Sequence, residues 1–258
     1  MNSIPALFLA FAYIVNNIVT TNGAAWKITL FKTKIPTYNR EQPTVPRKPS
    51  DYCMKGLCPR GTPHICCNYP FWDEQCPKPH FGINMEVYGS QILANHNLMR
   101  VSLLDVPKNL PTASFLPILR WDDELAMVAM RVTNYCNSEK YTKCLNVPRF
   151  LNVAHTSYTY TVSTPKPSHY LNAANKYFTS SINDFPPEYV SSYQESDNEM
   201  HKVFANIAYH KNTRMGCGFL VHQSADNYTV YMTCLYNEKI KPMEKLYDIE
   251  PPKKKAEN

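Results

Sequence analysis

Two stretches decide how the chain reads: GSQILANHNLMR, from Gly89 to Arg100, and LRWDDELAMVAMRVTNYC, from Leu119 to Cys136. In the first, Ile92, Leu93, Asn95, His96 and Met99 fall at helical spacing, with Ser90 placed to cap the start. In the second, Asp122 or Asp123 stands where a cap is wanted, and Leu125, Val128, Ala129 and Val132 form an apolar stripe. Such stripes describe core helices and nothing more.

Downstream, helices expected near 89–104 and 122–136 give way to a loop holding Cys144 and to a strand over Arg149–Tyr160, RFLNVAHTSYTY. Pro165 and Pro167 interrupt the chain. A third helix is predicted near 168–184, beginning at Ser168, with Tyr170, Leu171, Ala174, Tyr177 and Phe178 on one side and Pro186-Pro187 as its stop. A fourth runs from Asp197 to Ala208. The pattern then changes to period two: Met215–His222 and Tyr228–Leu235 read as strands of a hairpin joined by the polar loop Gln223–Asn227. Helices and strands in this mixed order predict an α+β layered fold.

The chain has 258 residues, 44% of them hydrophobic, enough for one good-sized core with tails. Its formal net charge is +6. Part of that is Lys253–Lys255 in the C-terminal tail, and no basic face interleaved with aromatics marks a nucleic-acid binder. Residues 1–24 read as a cleaved secretory signal: Ile4–Val19 has no charged side chain, and Gly23, Ala24 and Ala25 follow. No second run of about 18 apolar residues predicts a membrane span. Residues 25–50, with Pro36, Pro43, Pro46 and Pro49, are expected as an extended arm. A cysteine-rich extension is expected over 51–88, the main domain over 89–240, and a basic disordered tail over 241–258.

Nine cysteines are present: Cys53, Cys58, Cys66, Cys67, Cys76, Cys136, Cys144, Cys217 and Cys234. In a secreted chain an odd count implies a disulfide framework with one thiol left over, and spacing alone does not fix the pairing. C-x4-C followed by adjacent Cys66-Cys67 does not make a zinc-ribbon pattern.

The H-N-x-x-R of His96–Arg100 and the W-D-D-E-L-A of Trp121–Ala126 resemble the CAP superfamily of cysteine-rich secretory proteins, insect antigen five and group-one plant pathogenesis-related proteins. Asp51-Tyr52-Cys53, Cys58, the H-I-C-C-N of His64–Asn68 and Cys76 are similar to the N-terminal extension of the antigen five branch. The resemblance covers roughly Asp51 to Asn237. It implies a three-layer α–β–α sandwich with a disulfide-rich N-terminal extension, and the bridges Cys53–Cys67, Cys58–Cys144, Cys76–Cys136 and Cys217–Cys234. The last also suits the predicted hairpin, whose two strands it would tie for about 3 kcal/mol. Cys66 stands where the branch has a small residue. It is left as a buried free cysteine, an intermolecular bridge or a reactive thiol.

The resemblance further implies a cleft with two histidines and two acids, a set able to hold a divalent metal. Here the first histidine matches His96. The first acid, expected after the R-F-x-N-V of Arg149–Val153, is replaced by His155. The second acid position falls on Ser181, with Phe178 at a preceding tryptophan position. Counting back from KNTRMGCG, Lys211–Gly218, puts Val203 at the second histidine, with His201 two residues upstream and about 200° round the helix. The tetrad is therefore expected to be degenerate. A re-made site from His96, His155 and His201 is the remaining metal reading, set against a hydrogen-bonded cleft histidine, an exposed strand residue and a helix-surface residue. A Ser181–His96 nucleophile and base would lack an orienting carboxylate. No G-x-S-x-G, H-E-x-x-H or phosphate loop occurs. Asp122, Asp123 and Glu124 suit capping and the helix dipole. Asn227-Tyr228-Thr229 is a glycosylation sequon on the hairpin loop. Tyr158, Tyr160, Tyr170 and Tyr193 offer either an aromatic partner surface or half-buried packing.

Together these readings predict a secreted, non-enzymatic protein without a cofactor, binding an extracellular protein through its loops and altered cleft. The resemblance implies saliva, venom, haemolymph or seminal fluid as its setting. The alternatives are a small apolar ligand such as a sterol or lipid, and a metal-dependent hydrolase.

Overall fold

The computed structural model describes residues 48–105, 109–138 and 144–251. The expected signal, nearly all of the proline-rich arm and Lys253–Lys255 lie outside them. The chain divides into units Met1–Asn39 and Arg40–Asn258, and the described residues belong to the second. In chain order the elements are β1 (His80–Gly82), α1 (Met85–Ser102), β2 (Ala113–Phe115), β3 (Arg120–Trp121), α2 (Asp123–Thr133), β4 (Ala154–Val162), α3 (Pro167–Ser180), α4 (Glu199–Ala208), β5 (Arg214–Gln223), β6 (Tyr228–Tyr236) and β7 (Asp248–Ile249).

The hairpin of β5 and β6 is the centre of the fold, in register from Met215 opposite Tyr236 to Gln223 opposite Tyr228. β4 pairs antiparallel with the far side of β6, while β1 (antiparallel) and β3 (parallel) share the other edge of β5. Period two sorts β5 into two faces. Cys217, Phe219 and Val221 point into a core shared with α1, α3 and α4, where Ile92, Phe178, Val203 and Phe204 are fully buried. Gly216 and Gly218 face α2 instead. A Cβ on Gly216 would stand 2.2 Å from the Ala126 nitrogen, and one on Gly218 2.5 Å from the Met130 Cα. Glycine at these two positions lets the helix lie directly on the strand. The outer side of α2 buries Leu125, Val128 and Val132, each worth roughly 1.5–3 kcal/mol, against Tyr52, Leu57 and Ile65 of the extension. The result is an α+β, three-layer α–β–α sandwich whose third layer is completed by the cysteine-rich segment.

Four bridges close that framework: Cys53–Cys67, Cys58–Cys144, Cys76–Cys136 and Cys217–Cys234. Cys66 is left as a free thiol and is only 5% exposed. An intermolecular bridge cannot reach it in this conformation.

Several boundaries differ from expectation. α1 begins at Met85, capped by Asn84, whose side chain accepts from the Glu86 N–H at 2.9 Å, and Ser90 is an exposed residue inside the helix. The strand expected from Arg149 starts at Ala154. Arg149 is held back by Asp122 and Glu124, and Asn152 by Glu238 and the Lys239 carbonyl. The third helix stops at Ser180, four residues early, and the fourth starts at Glu199 behind its Asn198 cap. The disordered tail expected from residue 241 is folded through 251. Leu246 and Tyr247 are buried, Leu246 donates its N–H to the Val190 carbonyl, and β7 pairs with β2.

Candidate functional site

The H-N-x-x-R motif on α1 braces three parts of the fold. Asn97 makes a two-way bond with Leu119, donating to its carbonyl at 3.0 Å and accepting from its N–H at 2.7 Å. Arg100, 1% exposed, donates to the carbonyls of Pro117, Ile207, Tyr209 and Asn212 at 2.7–3.2 Å. Two of those carbonyls lie at the C-terminal end of α4, the negative end of its dipole, which suits a buried cation without a carboxylate. Burial nonetheless pushes the guanidinium down to about 10.

His96 is fully buried. Its Nδ1–H donates to the Ile92 carbonyl at 2.9 Å, one turn back, and its Nε2 accepts from the Tyr236 hydroxyl at 2.9 Å. That pattern needs the neutral ring, and burial pushes its pKa down to about 4. Phe178 covers the ring edge-on at 4.4 Å between centroids. Ser181 is buried and spends its hydroxyl on the Phe178 carbonyl at 2.6 Å, so it meets no base. Val203 is buried on α4. Both polar atoms of His96 are spent, and no ligand position is left on it.

The other two histidines lie elsewhere. The nitrogens of His201 engage the Ser196 hydroxyl at 3.1 Å and the Asp184 carbonyl at 3.0 Å, with Phe185 and Tyr189 packed edge-on against the ring. His155 is exposed on β4. The three are not assembled, and among the described residues no group of three or more His, Cys, Asp or Glu is placed to hold a metal. The histidine site considered from the sequence is thus not formed, because helix geometry turns His201 toward the 184–196 segment. The residues at the family's metal positions do not fit a divalent ion.

What the fold builds instead is a groove of about 1120 Å³ over the first half of β4. His155, Ser157 and Thr159 form its floor. Glu195, Glu199, Lys202, Lys239, Lys241 and the segments 144–146 and 151–153 also line it. His155 touches solvent, yet the surrounding protein desolvates it enough to lower its pKa, an effect that Glu199 opposes and Lys239 and Lys202 reinforce. Glu199 was not singled out in the sequence. It lies four residues before Val203, one helical turn, so the periodicity that placed Val203 toward the cleft placed Glu199 there too. Lys239 and Lys241 follow β6 in an irregular segment that no periodicity orients.

The remaining sequence candidates have structural roles. Asp122 caps α2 through the N–H groups of Glu124 and Leu125 while paired with Arg149 at 2.9 Å. Tyr170 and Tyr193 are buried, and Tyr158 lies flat on Tyr177 at 3.7 Å, which is packing. Asn227 is exposed in the β5–β6 turn. Burial pushes the Cys66 thiol up to about 11, the unreactive direction.

Residues 93–236 match the cysteine-rich secretory protein family, CAP. Venom allergen 3 of Solenopsis invicta is 35% identical over 132 residues, 49% of this chain and 54% of that protein. Tabinhibitin 10 of Tabanus yao is 29% identical over 191 residues, 71% of this chain and 74% of that protein. Venom allergen-1 of Aedes aegypti is 28% identical over 197 residues, 73% of this chain and 75% of that protein. The chain thus spans about half the length of the first and about three quarters of the other two. Venom allergen-like protein 4 of Schistosoma mansoni, a solved structure, aligns with a TM-score of 0.48 at 18% identity, covering 64% of this chain and 97% of that one. With more than half of its length inside the family match and venom allergens among its relatives, the chain belongs to the cysteine-rich secretory protein (CAP) family, in its antigen-five-like branch.

Proposed function

We propose that this chain is a secreted, non-enzymatic binding protein that engages an extracellular protein through the groove over β4. One observation carries the reading: His96, the family's first cleft histidine, is sealed between Phe178 and Tyr236 with both nitrogens bonded, while a separate open groove lined by charged residues lies over β4. Catalysis needs polar groups that can meet a substrate together, and of the four cleft positions His96, Ser181 and Val203 are turned inward while His155 alone lines the groove. Binding needs only a concave surface with fixed polar groups. Four disulfides suit an oxidising, extracellular compartment.

The test pairs zinc titration of the purified protein with cross-linking in its native fluid. Zinc titration at neutral pH is expected to give no stoichiometric binding. Cross-linking in the native secretion is expected to give a discrete complex that the charge reversal Glu199→Lys with Lys202→Glu abolishes. Stoichiometric zinc binding lost in His96→Ala would overturn the reading, and so would a complex indifferent to the groove variant.

A second pocket favours the small apolar ligand as an alternative. About 460 Å³ in volume, it is lined by Ile83, Met85, Trp121, Ala126, Met127 and Met130. A sterol or fatty acid that co-purifies and is displaced in Met127→Lys would move the function there.

A further inference from the structure

Among the described residues β4 is the last strand on its side of the sheet, paired with β6 alone. Cys217 and Cys234 face each other with Cα atoms 4.0 Å apart, the close spacing of a non-hydrogen-bonded pair. Cys234 therefore turns its N–H and C=O toward β4, where it bonds Thr156. By the same alternation Tyr158, Tyr160 and Val162 also bond β6, while His155, Ser157, Thr159 and Thr161 direct their backbone groups outward. A side chain verifies the parity: Asn206 donates to the His155 carbonyl from outside the sheet at 3.0 Å. Past that point the outward groups of Ser157, Thr159 and Thr161 have no backbone partner among the described residues.

Exposed edges are normally protected by lysine, proline or a bulge. This one has none of the three. Its nine residues, Ala154–Val162, carry no charge and no proline, and their register to β6 is unbroken. Its first half is also the floor of the groove. Among the charged residues lining the groove, Lys202, Lys239 and Lys241 outnumber Glu195 and Glu199. On one face the edge is flanked by an aromatic shelf of Tyr158 stacked on Tyr177, and on the other by the hydroxyls of Ser157, Thr159 and Thr161.

We propose that the open edge of β4 is a docking site for an extended segment of the partner protein, which adds as a sixth strand beside β4. Resting on the binding reading above, it names what that groove recognises. The edge supplies alternate donors and acceptors at two-residue spacing, which only an extended backbone matches. The shelf and the hydroxyl row select a segment alternating apolar with small polar side chains. The surplus of lysine favours an acidic end.

The test uses a fluorescent peptide alternating threonine and valine with an aspartate at each end, and two partners to it. One is N-methylated on alternate residues, in either phase, which removes the donors on one edge while keeping every side chain. The other is hydrogen exchange of the protein itself. The expected result is saturable binding, lost by about tenfold or more in one methylation phase only, since several backbone hydrogen bonds are removed in that phase. Amides of Ser157, Thr159 and Thr161 should slow on binding, whereas Thr156, Tyr158 and Tyr160 are already slow. Thr159→Pro should abolish binding and leave melting nearly unchanged, because its N–H faces away from β6. Equal affinity of both methylated peptides would overturn strand addition, as would no binding. A cross-linked partner that leaves those three amides fast would sink this inference while the binding function stands. A concentration-dependent dimer that protects the same amides would assign the edge to a second copy of the chain and overturn it too.

Discussion

The imidazole of His96 and the phenol of Tyr236, 140 positions apart, meet at 2.9 Å inside the core. One sits on α1 and the other ends β6, so the bond ties the helix layer to the sheet. Tyr236 also packs beside the ring at 5.9 Å between centroids, and burial raises its hydroxyl far above the ordinary phenol range. The pair is neutral on both sides and stays so across the physiological range.

Tyr236→Phe keeps the ring and removes the donor, leaving Nε2 of His96 buried without a partner. A loss of about 1–3 kcal/mol is expected, a fall in Tm of roughly 2–10 °C for a domain this size, with no gain of zinc affinity. An unchanged Tm in calorimetry would mean that the bond contributes nothing.

Acidification probes the same ring. His96 and His64 are both buried, and burial holds each at about 4 against 6.5 when unfolded. The unfolded chain therefore binds more protons between those values, so stability is full above pH 6.5 and is lost as the pH falls toward 4. Each contributes on the order of 3 kcal/mol to that loss. Glu244, held down to about 2 by its bond from Tyr209, adds a further decline only below pH 4.5. Urea midpoints measured from pH 7.5 to 4 should drop steeply, and His96→Gln should flatten the slope. A flat profile in the parent protein would contradict the burial of both rings.

Gly216→Ala tests the contact between α2 and the sheet. The added methyl would meet the Ala126 nitrogen at 2.2 Å and the Asp122 carbonyl oxygen at 2.5 Å, which are backbone atoms that cannot rotate away. Loss of about 3 kcal/mol or more is expected, at the upper end of overpacking costs. Gly56→Ala is a contrasting case. Nothing lies within 4 Å there, but its φ of +85° strains any side chain, so a smaller loss of about 1 kcal/mol should follow. Equal losses would argue that α2 does not lie on β5 at that depth.

Gly216 and Gly218 show where the sequence falls silent. The period-two pattern of Met215–His222 located a strand correctly, yet nothing local says that Gly216 and Gly218 mark the crossing of a helix. Ser90 was equally misleading as a cap: the helix starts at Met85, and Gly89 inside it is a close contact, since a Cβ there would stand 3.0 Å from the Trp121 ring. Asp122 was legible because its cap is local, and the four helices and the hairpin were legible because their apolar residues repeat. Tyr236 as the partner of His96, and Lys239 and Lys241 as groove residues, depend on contacts that only the folded chain creates.

Cys66 offers the last test. Next in sequence to bridged Cys67, it is 5% exposed among Tyr52, Leu57 and Ile65, and its backbone N–H donates to His64 Nδ1 at 3.0 Å. Desolvation raises the thiol to about 11, although the nearby Arg131 charge pulls the other way. At neutral pH the thiolate fraction is then negligible, and the sulfur is shielded as well as protonated. Iodoacetamide should label no cysteine in the native protein and one per chain after denaturation without reductant. Non-reducing and reducing gels should show the same mass. Rapid native labelling at Cys66, or a dimer that reduction dissolves, would show that the extension opens far enough to release it. The free thiol would then have to be treated as a reactive group and not as core packing.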